Sequence, residues 1–201
     1  MEKENLALVG KASEIVYFDS GGKHNTTTTL LLAKRAAQKN SIKNIVIASM
    51  RGQTAEKAIE VFNGSNIELT FVGCDYGCVG CPTFSKKIKK KVESAGYKVI
   101  FIPEGSIPYP EAAQLAYRRI CEGLKVCVHL AMGMAERELV PLGEEIIAVA
   151  GTGWKGYSKG GGVDTAVIIE ALKSKVFFSY DSLSKHKLYG RKIKEILCKP
   201  R

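Results

Sequence analysis

The sequence predicts an α/β fold, a sandwich around a mostly parallel mixed sheet. Three observations lead there. Short apolar runs such as Ile45-Val46-Ile47 and Ile146-Ile147-Ala148-Val149 recur along the chain, the pattern of strands buried on both faces. Helix formers fill the stretches between them, as in Leu30–Ala37 and Ala55–Glu60. Three of the runs lead into Gly-containing loops, Ser49–Thr54, Cys74–Cys81 and Gly151–Gly162. Alternating strands and helices give a parallel sheet covered on both faces. Ligands bind where loops leave the carboxyl ends of such strands.

The elements follow in order. Residues 1–13 form a loosely ordered or helical lead-in. Glu14–Phe18 is the first strand, and the polar loop DSGGKHNTTTT precedes a helix around Leu30–Ala37, capped by Asn25 or a following Thr. Ile45–Ala48 is a strand and Ala55–Glu60 a helix ending near Gly64. Ile67–Val72 is the third strand, Phe84–Ser94 a basic helix and Tyr97–Ile102 the fourth strand. Pro103, Pro108 and Pro110 mark a loop, with Pro110 placed to start the helix Glu111–Cys121. Gly123 is expected to break that helix. Val126, Leu130, Met134 and Glu138 keep helical spacing, so Leu124–Leu139 is a second, buried helix. Ile146–Ala150, Asp164–Ile169 and Ile193–Cys198 complete the strands, the last pair hairpin-like.

A chain of 201 residues fits one domain, 1–201, and 45% hydrophobic with 25% charged residues fits a globular one. No apolar run reaches about 18 residues, so no membrane partner is expected. The N-terminus is acidic and lacks a signal-peptide core, which predicts a cytoplasmic protein. The net charge is +10, with Lys86, Lys87, Lys89, Lys90 and Lys91 clustered and a second group at Lys185, Lys187, Arg191, Lys192 and Lys194. Such a surface attracts phosphate-bearing partners, small molecules or nucleic acid, or is a solvated face. A homo-oligomer is compatible with the sequence.

The stretch Asn44–Ala58 reads strand, Gly-containing turn, helix start, the geometry that holds an anion on unpaired N–H groups. Ser49 and Thr54 add hydroxyls, Gly52 permits close backbone approach and Arg51 adds a cation. The alternative is an ordinary βα turn with Thr54 as N-cap.

Six cysteines in a cytoplasmic chain do not suggest disulfides. Cys74, Cys78 and Cys81 have the spacing C-x3-C-x2-C followed by Pro82. Three thiolates on a Gly-rich loop can converge on one centre, and with a fourth ligand they suit a [4Fe–4S] cluster, or else zinc. Redox-active thiols or persulfide chemistry, and no site at all, are the other readings. The spacing matches that of radical S-adenosylmethionine enzymes, whose barrel is much larger than this chain. Cys121 or Cys127 would supply a fourth ligand only if the fold brings it near, and Cys127 and Cys198 are expected in the core. His24 is a surface residue or a phosphate or metal contact, His129 a satisfied core residue, and His186 solvent-facing. No Ser/His/Asp spacing, P-loop or paired carboxylates stand out.

The chain resembles the archaeal stand-alone proteins built on the C-terminal domain of pyruvate kinase. Tyr17, Asn25-Thr26, Ala48-Ser49, Gly52, Thr54-Ala55, Lys57-Ala58, Gly123–Val128, Gly151, Asp164-Thr165-Ala166 and Ile193–Ile196 carry the resemblance, which spans nearly the whole chain. It implies a three-layer α/β/α sandwich with a mixed five-stranded core sheet, pyruvate kinase C-terminal domain-like, an effector-phosphate loop at Ser49, Gly52 and Thr54, and a second Gly-rich loop before Asp164-Thr165. In the stand-alone proteins it implies a bound flavin mononucleotide (FMN). It implies no kinase activity, because the catalytic barrel of pyruvate kinase is missing. Two features depart from the family. The Cys loop replaces a His-rich segment, and the loop before Asp164 is longer and carries Trp154 and Tyr157, a possible aromatic platform for a ring.

The candidates for holding a phosphate-bearing ligand are therefore Asn25, Thr26, Ser49, Gly52, Gln53, Thr54, Gly151, Gly162, Asp164 and Thr165. Those for metal are Cys74, Cys78 and Cys81. The function expected is a phosphate- or flavin-binding protein with a [4Fe–4S] cluster, related to redox or electron transfer and served by a redox partner protein. The alternatives are a sulfur-handling or RNA-modifying enzyme that uses the Lys86–Lys91 face, and a phosphometabolite sensor without chemistry.

Overall fold

Seven strands form one sheet in the order β1-β7-β6-β5-β2-β3-β4, namely β1 Val16–Phe18, β2 Asn44–Ala48, β3 Glu68–Gly73, β4 Lys98–Phe101, β5 Glu145–Ala150, β6 Thr165–Glu170 and β7 Ile193–Pro200. The structure is a computed structural model and describes residues 13–73, 83–103, 105–152, 161–179 and 192–201. β2 pairs in parallel with β3 and β5, β3 with β4, and β1 with β7, while β6 runs antiparallel to both its neighbours. The fold is α/β with a mostly parallel mixed sheet. It has seven strands where the resemblance implied a core of five.

Alternate residues of the central strands enter two cores. Ile45, Ile47, Leu69, Phe71, Ile147 and Val149 face one side, and there they meet α1 (Thr26–Asn40), α2 (Gln53–Phe62) and α3 (Lys86–Ser94) through Leu30, Ala33, Ala55, Phe62 and Val92. Val46, Val72, Ile146, Ala148 and Val167 face the other, under α5 (Glu122–Glu136), with α4 (Glu111–Ile120) and the short α6 (Ser174–Phe177) at its margin. Period-2 alternation with apolar residues at both phases can be buried only between two helical layers. α1 and α5 are 15 residues each. No helix among the described residues is long and apolar enough to cross a membrane.

Two boundaries differ from expectation for physical reasons. The break between α4 and α5 falls at Cys121, which is extended (φ −172°, ψ 153°) and caps α5 by accepting the Leu124 N–H at 3.3 Å. Gly123 lies inside α5, where a Cβ would overlap the Thr165 hydroxyl. It is a close-packing residue and not a helix breaker. Thr54 does not cap α2: Gly52 takes that position at φ 102°, and Ser49 Oγ accepts the Ala55 N–H at 3.1 Å. α6 had no signal in the sequence, being a single turn.

Because β1, β2, β3 and β5 run the same way, the segments leaving Phe18, Ala48, Gly73 and Ala150 all emerge at one sheet edge. The chain turns from β2 to β3 on one side and from β5 to β6 on the other. That reversal opens a crevice between β2 and β5.

Candidate anion-binding site

A cavity of about 690 Å³ occupies this crevice. One wall is the β2–α2 loop, with Ser49, Met50, Arg51, Gln53, Thr54 and, one turn on, Lys57. The second is the start of α1, with Lys23, Thr26 and Thr27, and the third is formed by Gly151, Gly161 and Gly162. Ala48 and Val126 add apolar surface. Among the described residues the lining holds Lys23, Arg51 and Lys57 and no carboxylate. Lys57 also reaches Glu60 at 2.9 Å, whereas Arg51 has no acidic partner among the described residues.

The β2–α2 loop presents unsatisfied donors. Ser49 N–H is taken by Val72 O, and Ser49 Oγ accepts from Ala55 N–H, which leaves the Ser49 hydroxyl proton free to donate. Glu56 N–H closes the first α2 turn on Gly52 O. The N–H groups of Gln53 and Thr54 precede it and have no protein acceptor among the described residues. Thr54 is only 7% exposed, its hydroxyl has no protein partner among the described residues, and it lines the cavity. Helix N-terminus, hydroxyls and guanidinium together favour a phosphoryl group.

Six of the residues expected from the sequence thus line one cavity: Thr26, Ser49, Gln53, Thr54, Gly151 and Gly162. Four lie behind its walls. Asn25 Nδ2 donates to Ser20 O at 2.7 Å. Gly52 supplies a left-handed cap packed on Ile88 of α3. The Asp164 carboxylate and the Thr165 hydroxyl are buried and bonded to each other at 3.0 Å. Lys23, Thr27, Met50, Lys57, Val126 and Gly161 belong to the lining but were not among the ligand contacts expected from the sequence. For Lys57 a signal existed, since it falls one helical turn after Thr54. Val126 had none, because α5 reaches the cavity from the opposite face of the sheet.

Cys74, Cys78 and Cys81 lie outside the described residues, as do Trp154, Tyr157 and His186. Among the described residues no three His, Cys, Asp or Glu side chains converge where a metal could sit. His24 is exposed, 3.4 Å from Ser20 Oγ, and half-buried His129 stacks on Tyr109. Cys127 donates to Ala148 O at 3.3 Å, and both Cys127 and Cys198 are fully buried. Cys121 is committed to its cap.

Burial pushes all three described thiols up, Cys198 to about 12 and Cys127 well above 9.0. Unfolded thiols ionise near 8.5. The folded state therefore keeps protons that the unfolded state releases, and stability falls as pH rises from about 9 toward 12. Each fully buried thiol is expected to contribute a slope of about 1.4 kcal/mol per pH unit in that window. Urea midpoints measured from pH 8 to 11 check this, and Cys198→Ala should flatten the curve.

The Lys86–Lys91 cluster is α3. Lys91 pairs with Glu56 at 2.8 Å, and Lys89 lies 3.7 Å from Glu93 and over the Phe101 ring. Part of this charge is thus used within the chain. Ser85 N–H donates to Arg51 O at 3.1 Å, which joins the start of α3 to the anion loop. No protein-family model matches the chain.

Proposed function

We propose that the protein binds a phosphate ester in the β2/β5 crevice, with the phosphoryl group on the N-terminus of α2. The single observation that carries this reading is the β2–α2 turn, whose Ser49, Arg51 and Thr54 line a cavity that, among the described residues, also holds Lys23 and Lys57 and no carboxylate. The cavity lies in the range of small-molecule sites, about 300–1,000 Å³. FMN, which the resemblance to pyruvate kinase C-terminal-like proteins implies, fits this donor set: Ser49, Thr54, Arg51 and the α2 N–H groups would hold its phosphate. Ala48, Met50 and Val126 offer apolar contact for a ring. When bound, flavin would supply hydride and single-electron chemistry.

The C-x3-C-x2-C loop follows β3, the strand beside β2, and leaves the same sheet edge. Its thiolates suit a [4Fe–4S] cluster, with zinc as the alternative. The function that joins both features is redox or electron transfer with a partner protein, without kinase activity. The part of the lysine cluster spent on Glu56 and Glu93 favours a small phosphate ligand over nucleic acid. Anaerobic purification followed by absorption spectroscopy, iron analysis and heat release of cofactor tests the reading. Broad absorbance near 400 nm with about four irons per chain is the expected result, together with an extractable yellow flavin. A colourless, iron-free protein that FMN and inorganic phosphate fail to stabilise against heat would overturn it.

A further inference from the structure

The Asp164 carboxylate is fully buried and joins three chain segments. Its Oδ2 accepts from Gly22 N–H at 2.9 Å, from Thr152 N–H at 3.2 Å and from the Thr152 hydroxyl at 2.6 Å. Its Oδ1 accepts from Thr165 Oγ1 at 3.0 Å. Gly22 belongs to the β1–α1 loop, Thr152 to the segment leaving β5, and Thr165 begins β6. Glycines permit this convergence. A Cβ on Gly21 would lie 2.6 Å from Thr152 Oγ1 and 3.0 Å from Asp164 Oδ2, and one on Gly151 would overlap the Gly162 carbonyl.

Lys23, Thr26 and Thr27 follow Gly22 directly, while Gly151 precedes Thr152. The carboxylate thus sits behind the junction of two cavity walls without lining the cavity. A bond from Val163 N–H to Thr26 Oγ1 at 3.2 Å reinforces the same seam. Asp164 has no ion-pair partner among the described residues, and these hydrogen bonds compensate its burial there.

We infer that Asp164 is the positioning residue of the cavity: it clamps the α1 wall to the β5–β6 wall, so that Lys23 and Thr26 face Ser49 and Thr54 before a ligand arrives. This rests on reading the cavity as an anion site. The clamp needs acceptors, not charge. Asparagine can turn its carbonyl oxygen to Gly22 and Thr152 and donate its amide to Thr165 Oγ1, whose hydroxyl rotates to accept. Alanine leaves the buried Gly22 N–H and the part-buried Thr152 N–H without this acceptor.

The test compares Asp164→Ala, Thr152→Val and Asp164→Asn in the full chain. Amide exchange at Gly22 and Thr152 reads the clamp, and calorimetric titration with inorganic phosphate reads the site. Asp164→Ala is expected to speed exchange and weaken phosphate binding by about tenfold or more. Thr152→Val, which removes only the hydroxyl, moves both the same way by less. Asp164→Asn restores both. If Asp164→Ala fails to fold, the Thr152→Val and Asp164→Asn pair decides. Asparagine behaving like alanine would show that charge matters and the clamp does not. Faster exchange with unchanged phosphate affinity would also overturn the inference. If the wild type binds no phosphate, the anion reading falls by itself; unchanged exchange in the alanine and valine variants would then overturn the clamp separately.

Discussion

Thr54→Val is expected to weaken phosphate or FMN binding by roughly 10- to 100-fold, the worth of a hydrogen bond to a charged acceptor. The fold should be unchanged. Threonine and valine have the same shape and the same β-branched constraint, and the Thr54 hydroxyl bonds to no protein group among the described residues, so its removal leaves none of those unpaired. Ligand-induced thermal stabilisation reads the loss, because a ligand at 100 times its Kd contributes about 2.7 kcal/mol. Iron content should not change, since the cysteine loop leaves β3 and Thr54 belongs to α2. Simultaneous loss of iron and phosphate binding would mean that the two regions form one indivisible site.

Gly162→Ala is expected to damage both stability and binding. Gly162 has φ 85°, in the left-handed region, and its Cβ would overlap Lys23 Cα and stand 2.6 Å from Thr26 Oγ1. The neighbours are backbone and a packed threonine, which cannot swing away. Backbone strain plus displacement of the α1 entrance should cost about 2–4 kcal/mol. For a chain of this size that lowers Tm by roughly 5–15 °C. Gly161→Ala is the control: it also has positive φ (77°) but nothing among the described residues within 4 Å of a Cβ, so it should show the strain alone. Equal losses in the two variants would remove the argument for close wall packing.

Most of the fold was legible in the sequence, because burial on both faces writes itself as continuous apolar runs. Ile45-Val46-Ile47 and Ile146–Val149 could be placed with no knowledge of their partners. Helix boundaries were less legible, since they depend on contacts. Gly123 looks like a breaker until Thr165 is seen against it, and Cys121 gives no sign of being a cap. The cavity was half legible. Ser49, Gln53 and Thr54 stand in one strand-turn-helix stretch, so local geometry sufficed. Lys23, Gly161 and Val126 come from separate parts of the chain, and no local pattern joins them.

The sequence alone determined an alternating α/β chain, a Gly-containing turn able to hold an anion, and a C-x3-C-x2-C loop with the chemistry of soft metals. These are local properties, set by residue type and spacing within a few positions. Only the tertiary structure decided the strand order that brings the β2 and β5 ends together, the three-walled cavity between them, and the hydrogen-bond partners of Asp164. From the sequence that carboxylate either orients its loop or contacts a ligand hydroxyl. Its donors, Gly22 and Thr152, lie 142 and 12 residues away, and hydrogen bonds across such separations exist only once the sheet has set the loops side by side.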